Sequence, residues 1–97
     1  MNRITDWENL AEASRYSTRE LAKRCNVTSR QLERYFLGTK GMPPRQWLTE
    51  LRQRRALELM AAHSSVKAAA WRLGYRQAAH FSREFKRYHG VCATEIG

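Results

Sequence analysis

Apolar positions along this chain recur at helical spacing and are punctuated by caps and breakers. Trp7, Leu10, Ala11 and Ser14 form a short stripe that ends before Ser17-Thr18-Arg19-Glu20. That Ser-x-x-Glu capping box predicts a second helix, with Leu21, Ala22 and Cys25 on its apolar face. Asn26 offers a turn, and Thr28-Ser29-Arg30-Gln31, of Thr-x-x-Gln form, predicts a third helix from about Ser29 that buries Leu32, Tyr35 and Phe36. Gly38, Gly41, Pro43 and Pro44 break the pattern, and Pro44 suits the first turn of a long helix running to about Ala62. Its semi-periodic face is Trp47, Leu48, Leu51, Ala56, Leu59 and Met60, and Arg45, Arg52, Arg54 and Arg55 lie among them, each either part of a plain solvated face or a functional charge. His63, Ser64 and Ser65 close that helix. Val66, Ala69, Ala70 and Leu73 give the next stripe up to Gly74, whose missing side chain suits a positive-φ stop or close helix packing, and a last long helix from Gln77 to His89 buries Phe81, Phe85 and Tyr88. With no strand alternation, the expected class is all-α, about seven helices.

The stripes repeat. Leu21-Ala22, Val27, Leu32, Arg34, Phe36 and Gly41-Met42 recur as Ala69-Ala70, Tyr75, Phe81, Arg83, Phe85 and Gly90-Val91, offset by 48 positions at first and by 49 from Leu32 onward. Each copy reads as helix, tight turn and second helix. The expected architecture is a homeodomain-like pair of helix-turn-helix subdomains, residues 1–43 and 63–97, joined by a linker helix over 44–62. The alanines at 68–70 leave the second copy a thinner core, so it is expected to be the less stable.

Charge then narrows the partner. Eighteen Lys and Arg face nine Asp and Glu, a formal charge of +9, divided as +3 over residues 1–50 and +6 over residues 51–97. Such an excess favours nucleic acid or an anionic membrane surface. No apolar run approaches the ~20 residues needed to cross a bilayer, and residues 1–16 lack a secretory core, so a cytoplasmic, nucleoid-associated protein without a membrane partner is expected. Cys25 and Cys92 read as ordinary thiols, and His63, His80 and His89 lack metal-site spacing, so no metal and no cofactor is expected. The three tryptophans read as core. Paired carboxylates, a nucleophile elbow and a glycine-rich phosphate loop are missing from the sequence, which argues against an enzyme.

Leu32-Glu33-Arg34-Tyr35-Phe36, Gly41-Met42-Pro43-Pro44, Trp47-Leu48 and above all Gly74-Tyr75 followed by Phe81-Ser82-Arg83-Glu84-Phe85-Lys86 carry a specific resemblance. The chain resembles the DNA-binding domain of the AraC/XylS family of bacterial transcription regulators, from about Ser14 to Glu95. It departs from the family pattern at Gly90-Val91-Cys92-Ala93, where the usual serine and proline are absent. The resemblance implies two helix-turn-helix units binding double-stranded DNA and controlling transcription, with RNA polymerase as a further partner. A similar module is fused in one enzyme class to a cysteine-based alkyl acceptor, but Cys25 falls within the first unit and Cys92 lacks that acceptor's flanking motif.

The geometry suits one duplex. A linker of roughly 18 residues spans about 27 Å, and successive major-groove faces recur at ~34 Å. The chain would then bind as a monomer, unless it is part of a longer protein. Expected base contacts in the first unit are Ser29, Arg30, Gln31, Glu33 and Arg34: an arginine fork on guanine, Gln31 on adenine, Glu33 on cytosine N4. Gln31 could instead only close its capping box, and Glu33 only pair locally. The second unit offers Gln77, Ala78, Ala79, His80, Ser82 and Arg83, where the alanines reach only thymine methyls. Expected phosphate contacts are Lys40, Arg45, Arg76, Lys86 and Arg87. The asymmetry predicts that the first unit contributes more of the base discrimination and the more basic second half more of the backbone affinity. Two origins fit so short a chain: a small stand-alone regulator or a domain of a longer one. The alternative function is a protein-interaction module, or an antagonist of a related regulator, that binds no DNA itself.

Overall fold

The computed structural model describes residues 6–96, and seven α-helices and no strand are found among them. In chain order they are α1 (Trp7–Ala13), α2 (Thr18–Arg24), α3 (Ser29–Lys40), α4 (Pro44–Ala61), α5 (Val66–Arg72), α6 (Ala78–His89) and α7 (Ala93–Ile96). The chain forms two compact units that divide inside α4, one through Leu51 and the other from Arg52.

The first unit closes on Ala11, Leu21, Leu32 and Phe36, all fully buried, with Leu48 and Leu51 from the start of α4. Aromatic edges fill the rest: the Trp7 and Phe36 rings lie 5.0 Å apart at 83°, and Phe36 and Trp47 lie 5.3 Å apart at 71°. Edge-to-face pairs of this kind add about 0.5–1.5 kcal/mol each beyond burial. Gly38 does not break α3, which runs through it to Lys40, and Gly41 stops the helix with φ +71°. One glycine in a helix interior costs only about 1 kcal/mol against alanine, less than the burial of Leu32 and Phe36 supplies.

In the second unit the buried residues are Gln53, Ala56 and Met60 of α4 with Ala69, Ala70, Leu73, Tyr75, Phe81, Phe85 and Ala93. Two sequence expectations fail here. Tyr88 is 50% exposed, because the contact row of α6 is Phe81, Phe85 and His89 at i, i+4 and i+8. The His89 ring packs 4.3 Å from Phe85, and one of its nitrogens lies 3.1 Å from the Gln53 carbonyl. Trp71 is 70% exposed, since Ala69, Ala70 and Leu73 fill the inward side of α5.

The repeat is visible in the turns. The Val27 amide donates to Ala22 O at 3.0 Å across a left-handed Asn26 (φ +57°), and the Tyr75 amide donates to Ala70 O at 2.9 Å across a left-handed Gly74 (φ +87°). Both are Schellman stops, in which a residue of positive φ lets the chain reverse and satisfies the last carbonyls of the helix. They keep the offset of 48; the extra residue that makes it 49 is Arg76, between Tyr75 and the N-cap Gln77.

Candidate nucleic-acid interface

Each unit presents the first turn of a helix over a buried frame. On α3, Ser29, Arg30, Gln31, Glu33 and Arg34 are exposed, while Leu32 and Phe36 between them are fully buried. At the N-cap of α6 Gln77 is exposed, and on the helix Ala79, His80 and Arg83 are exposed, Ala78 and Ser82 are half-buried, and Phe81 and Phe85 form the frame.

The two first turns differ in chemistry. Gln31 completes a capping box: its amide donates to Thr28 Oγ1 at 3.1 Å, and its Oε1 accepts from the Thr28 amide at 2.9 Å. With Oε1 engaged, the side-chain NH2 is the group left to reach outward, a donor suited to guanine or thymine oxygens and not to the paired edge of adenine. Gln77 caps α6 without a side-chain hydrogen bond. His80, which occupies the place of Gln31 in the second copy, is also tethered: its Nε2 lies 2.9 Å from Glu84 Oε2, and its ring meets the Tyr75 ring edge-on at 5.3 Å.

Behind His80 runs a connected polar chain. Gln53 Nε2 donates to Tyr75 Oη at 2.9 Å, and Tyr75 Oη donates to Glu84 Oε1 at 3.3 Å. Burial, above all, pushes the Tyr75 hydroxyl up to about 12, opposed by the Arg52 charge and reinforced by Glu84. The phenol therefore keeps its proton and donates it toward Glu84. Burial likewise raises the Cys25 thiol, which favours its protonated form.

The expected phosphate contacts separate into kinds. Arg45, Arg76, Lys86 and Arg87 are exposed. Lys40 is half-buried with its Nζ 5.0 Å from the Trp47 centroid, 5.6 Å from Phe36 and 5.8 Å from Trp7, so its charge also has a packing role. Lys86 and Arg87 lie in the last turn of α6, where they also complement the helix dipole. Ser82, Arg83 and Lys86 flank a depression of about 310 Å³ against Cys92, Ala93 and Thr94. Arg76 borders an open groove of about 730 Å³ with Lys67, Trp71 and Arg72 over a floor of Ala68, Ala70 and Ala78. The sequence reading missed this groove because Trp71 at helical spacing looks like core. Glu84 was missed because an acid one turn after His80 looks like an ordinary solvated side chain until its bond to the buried Tyr75 hydroxyl is seen. Among the described residues no cluster has the make-up of a metal site, and no helix is long and apolar enough to cross a membrane.

Residues 21–96 match the family profile described as Helix-turn-helix domain. The chain belongs to the AraC/XylS family of DNA-binding domains. It is 34% identical over 80 residues to the HTH-type transcriptional regulator ArgR of Pseudomonas aeruginosa, covering 81% of this chain and 24% of that protein. It is 36% identical over 87 residues to the HTH-type transcriptional activator RhaS of Yersinia pestis, covering 87% and 31%. The chain thus spans about a quarter to a third of the curated relatives it matches. The fold superimposes on an AraC-type DNA-binding-domain regulator from Chromobacterium violaceum with TM-score 0.70 and 29% identity over 91% of this chain and 82% of that one. The C-terminal domain of the response regulator yesN from Fusobacterium nucleatum shares the fold alone, with TM-score 0.77 at 20% identity over 92% and 91%. Membership in this family makes the chain a helix-turn-helix domain of DNA-binding transcription regulators.

Proposed function

We propose that the chain is a sequence-specific reader of double-stranded DNA that inserts α3 and α6 into successive major-groove segments and regulates transcription from the bound site. The observation that supports this most directly is the repeated frame: buried Leu32 and Phe36 beneath exposed Arg30 and Arg34, and buried Phe81 and Phe85 beneath exposed Ala79 and Arg83. In this reading Ser29, Arg30, Glu33 and Arg34 face bases, with Gln31 reduced to its amide donor, and Gln77, Ala78, Ala79, His80, Ser82 and Arg83 do so from α6. Lys40, Arg45, Arg76, Lys86 and Arg87 hold phosphates. Binding as a monomer, in the cytoplasm and on the nucleoid, and contact with RNA polymerase complete the proposal. The domain itself carries out no catalysis.

Selection of bound duplexes from a random pool, followed by gel-shift titration at ~100 mM salt because counterion release makes affinity salt-dependent, tests it. A selected site longer than one groove turn, about 10 base pairs, is the expected result; a pool that never enriches sinks the proposal. The Trp71 groove favours a second reading, a protein-interaction module, which a co-purifying protein partner together with no shifted duplex would support.

A further inference from the structure

His80 and Glu84 lie one turn apart on α6, on the helix read above as DNA-facing, and the inference rests on that reading. A carboxylate offers only acceptors. At 2.9 Å from Glu84 Oε2, the His80 Nε2 must therefore carry the hydrogen of that contact. Glu84 is itself fixed from behind, because its Oε1 accepts from Tyr75 Oη and that oxygen accepts from Gln53, whose residue is 1% exposed. Every hydrogen in the chain points toward Glu84: from Gln53 to Tyr75, from Tyr75 to Oε1, and from His80 to Oε2. The Tyr75 ring then limits the imidazole on a second side, at 5.3 Å and 87°. His80 nevertheless keeps 54% of its side-chain surface exposed.

We propose that Glu84 is a positioning residue for base readout: it locks the neutral imidazole of His80 in the Nε2–H form, so that the second unit offers Nδ1 as an acceptor to an exocyclic amino group in the major groove. That group is adenine N6 or cytosine N4. Guanine and thymine show only acceptors at the matching edge, apart from the thymine methyl. A histidine without the tether would take either tautomer and discriminate less. The device thus gives the alanine-softened helix one directed hydrogen bond.

Two measurements on the full chain test this. Ring-nitrogen NMR of histidine-labelled protein at pH 8 reads the tautomer: the wild type should show Nδ1 unprotonated, and Glu84→Ala should show a tautomer mixture. Selection from a random duplex pool reads the consequence. One position should prefer adenine or cytosine, His80→Ala should lose that preference by roughly fivefold, the worth of one hydrogen bond, and Glu84→Ala should weaken it at the same position. The double variant should match His80→Ala alone. A purely structural Glu84 would lower the urea midpoint while leaving the tautomer unchanged, and that overturns the proposal. A locked tautomer with no base preference lost in His80→Ala also overturns it, and then the fault lies in the DNA-facing assignment of α6. A preference lost in His80→Ala with free tautomers faults the tether alone.

Discussion

Arg52 holds Tyr75 from above and the turn beside it at once: its Cζ lies 3.7 Å from the Tyr75 ring centroid, and its Nε donates to Leu73 O at 3.0 Å. The arginine that reads in the sequence as part of a solvated face is a half-buried clasp across the stop of α5. Arg52→Ala should lower the stability of the second unit by about 2 kcal/mol, the sum of one cation–π contact and one hydrogen bond. Arg52→Lys should fall between, since an ammonium lacks the fixed fork. Urea unfolding checks both, and an alanine variant as stable as wild type would remove the clasp.

Tyr75 makes stability depend on alkali. Its folded value of about 12 stands above the ordinary 10.0, so the unfolded chain loses this proton first as pH rises. Stability is then complete below pH 10 and declines as pH climbs from 10 toward 12, by on the order of 2 kcal/mol. Tyr75→Phe should flatten that stretch of the curve, and an unchanged slope in the variant would assign the decline to other groups.

The tryptophans should separate sharply. Trp7, 8% exposed and ringed by Phe36, Tyr35 and Trp47, should cost about 3–5 kcal/mol on replacement by alanine. Trp71, 70% exposed, should cost under about 0.5 kcal/mol. Equal losses in chemical denaturation would contradict the burial described above.

Readout and affinity should divide between the units. Arg34→Ala should flatten the selected sequence by about 1–3 kcal/mol at one position. Lys86→Ala should weaken all duplexes alike and reduce the salt slope by roughly 0.9. If Arg34→Ala leaves the preference intact while Arg83→Ala abolishes it, the division is reversed.

The helices were legible because their signals are local. Ser17 and Thr28 cap as their neighbours require, Pro44 opens α4, and Gly74 and Gly90 end helices at positive φ. The helix-turn-helix repeat was legible because its buried frame is apolar in both copies. What escaped depends on contacts distant in sequence: Arg52 to Leu73 spans 21 residues, Gln53 to Tyr75 spans 22, and His89 to Gln53 spans 36. Periodicity says which side of a helix is apolar, but it cannot say that His89 displaces Tyr88, or that small alanines on α5 leave Trp71 outside. The site residues share that limit. Exposure at the start of α3 and α6 follows from the frame, whereas the tethers on Gln31 and His80 follow from neighbours that only folding supplies.

The missing side-chain bond at the start of α6 has a consequence in time. Thr28 and Gln31 close the first turn of α3 from both sides, while Gln77 gives α6 nothing comparable. A side-chain cap is worth about 1 kcal/mol, so the first turn of α6 should open roughly fivefold more often than that of α3, and its amide hydrogens should exchange correspondingly faster. The two copies therefore differ in tempo: the first turn of α6 opens and recloses more often than that of α3.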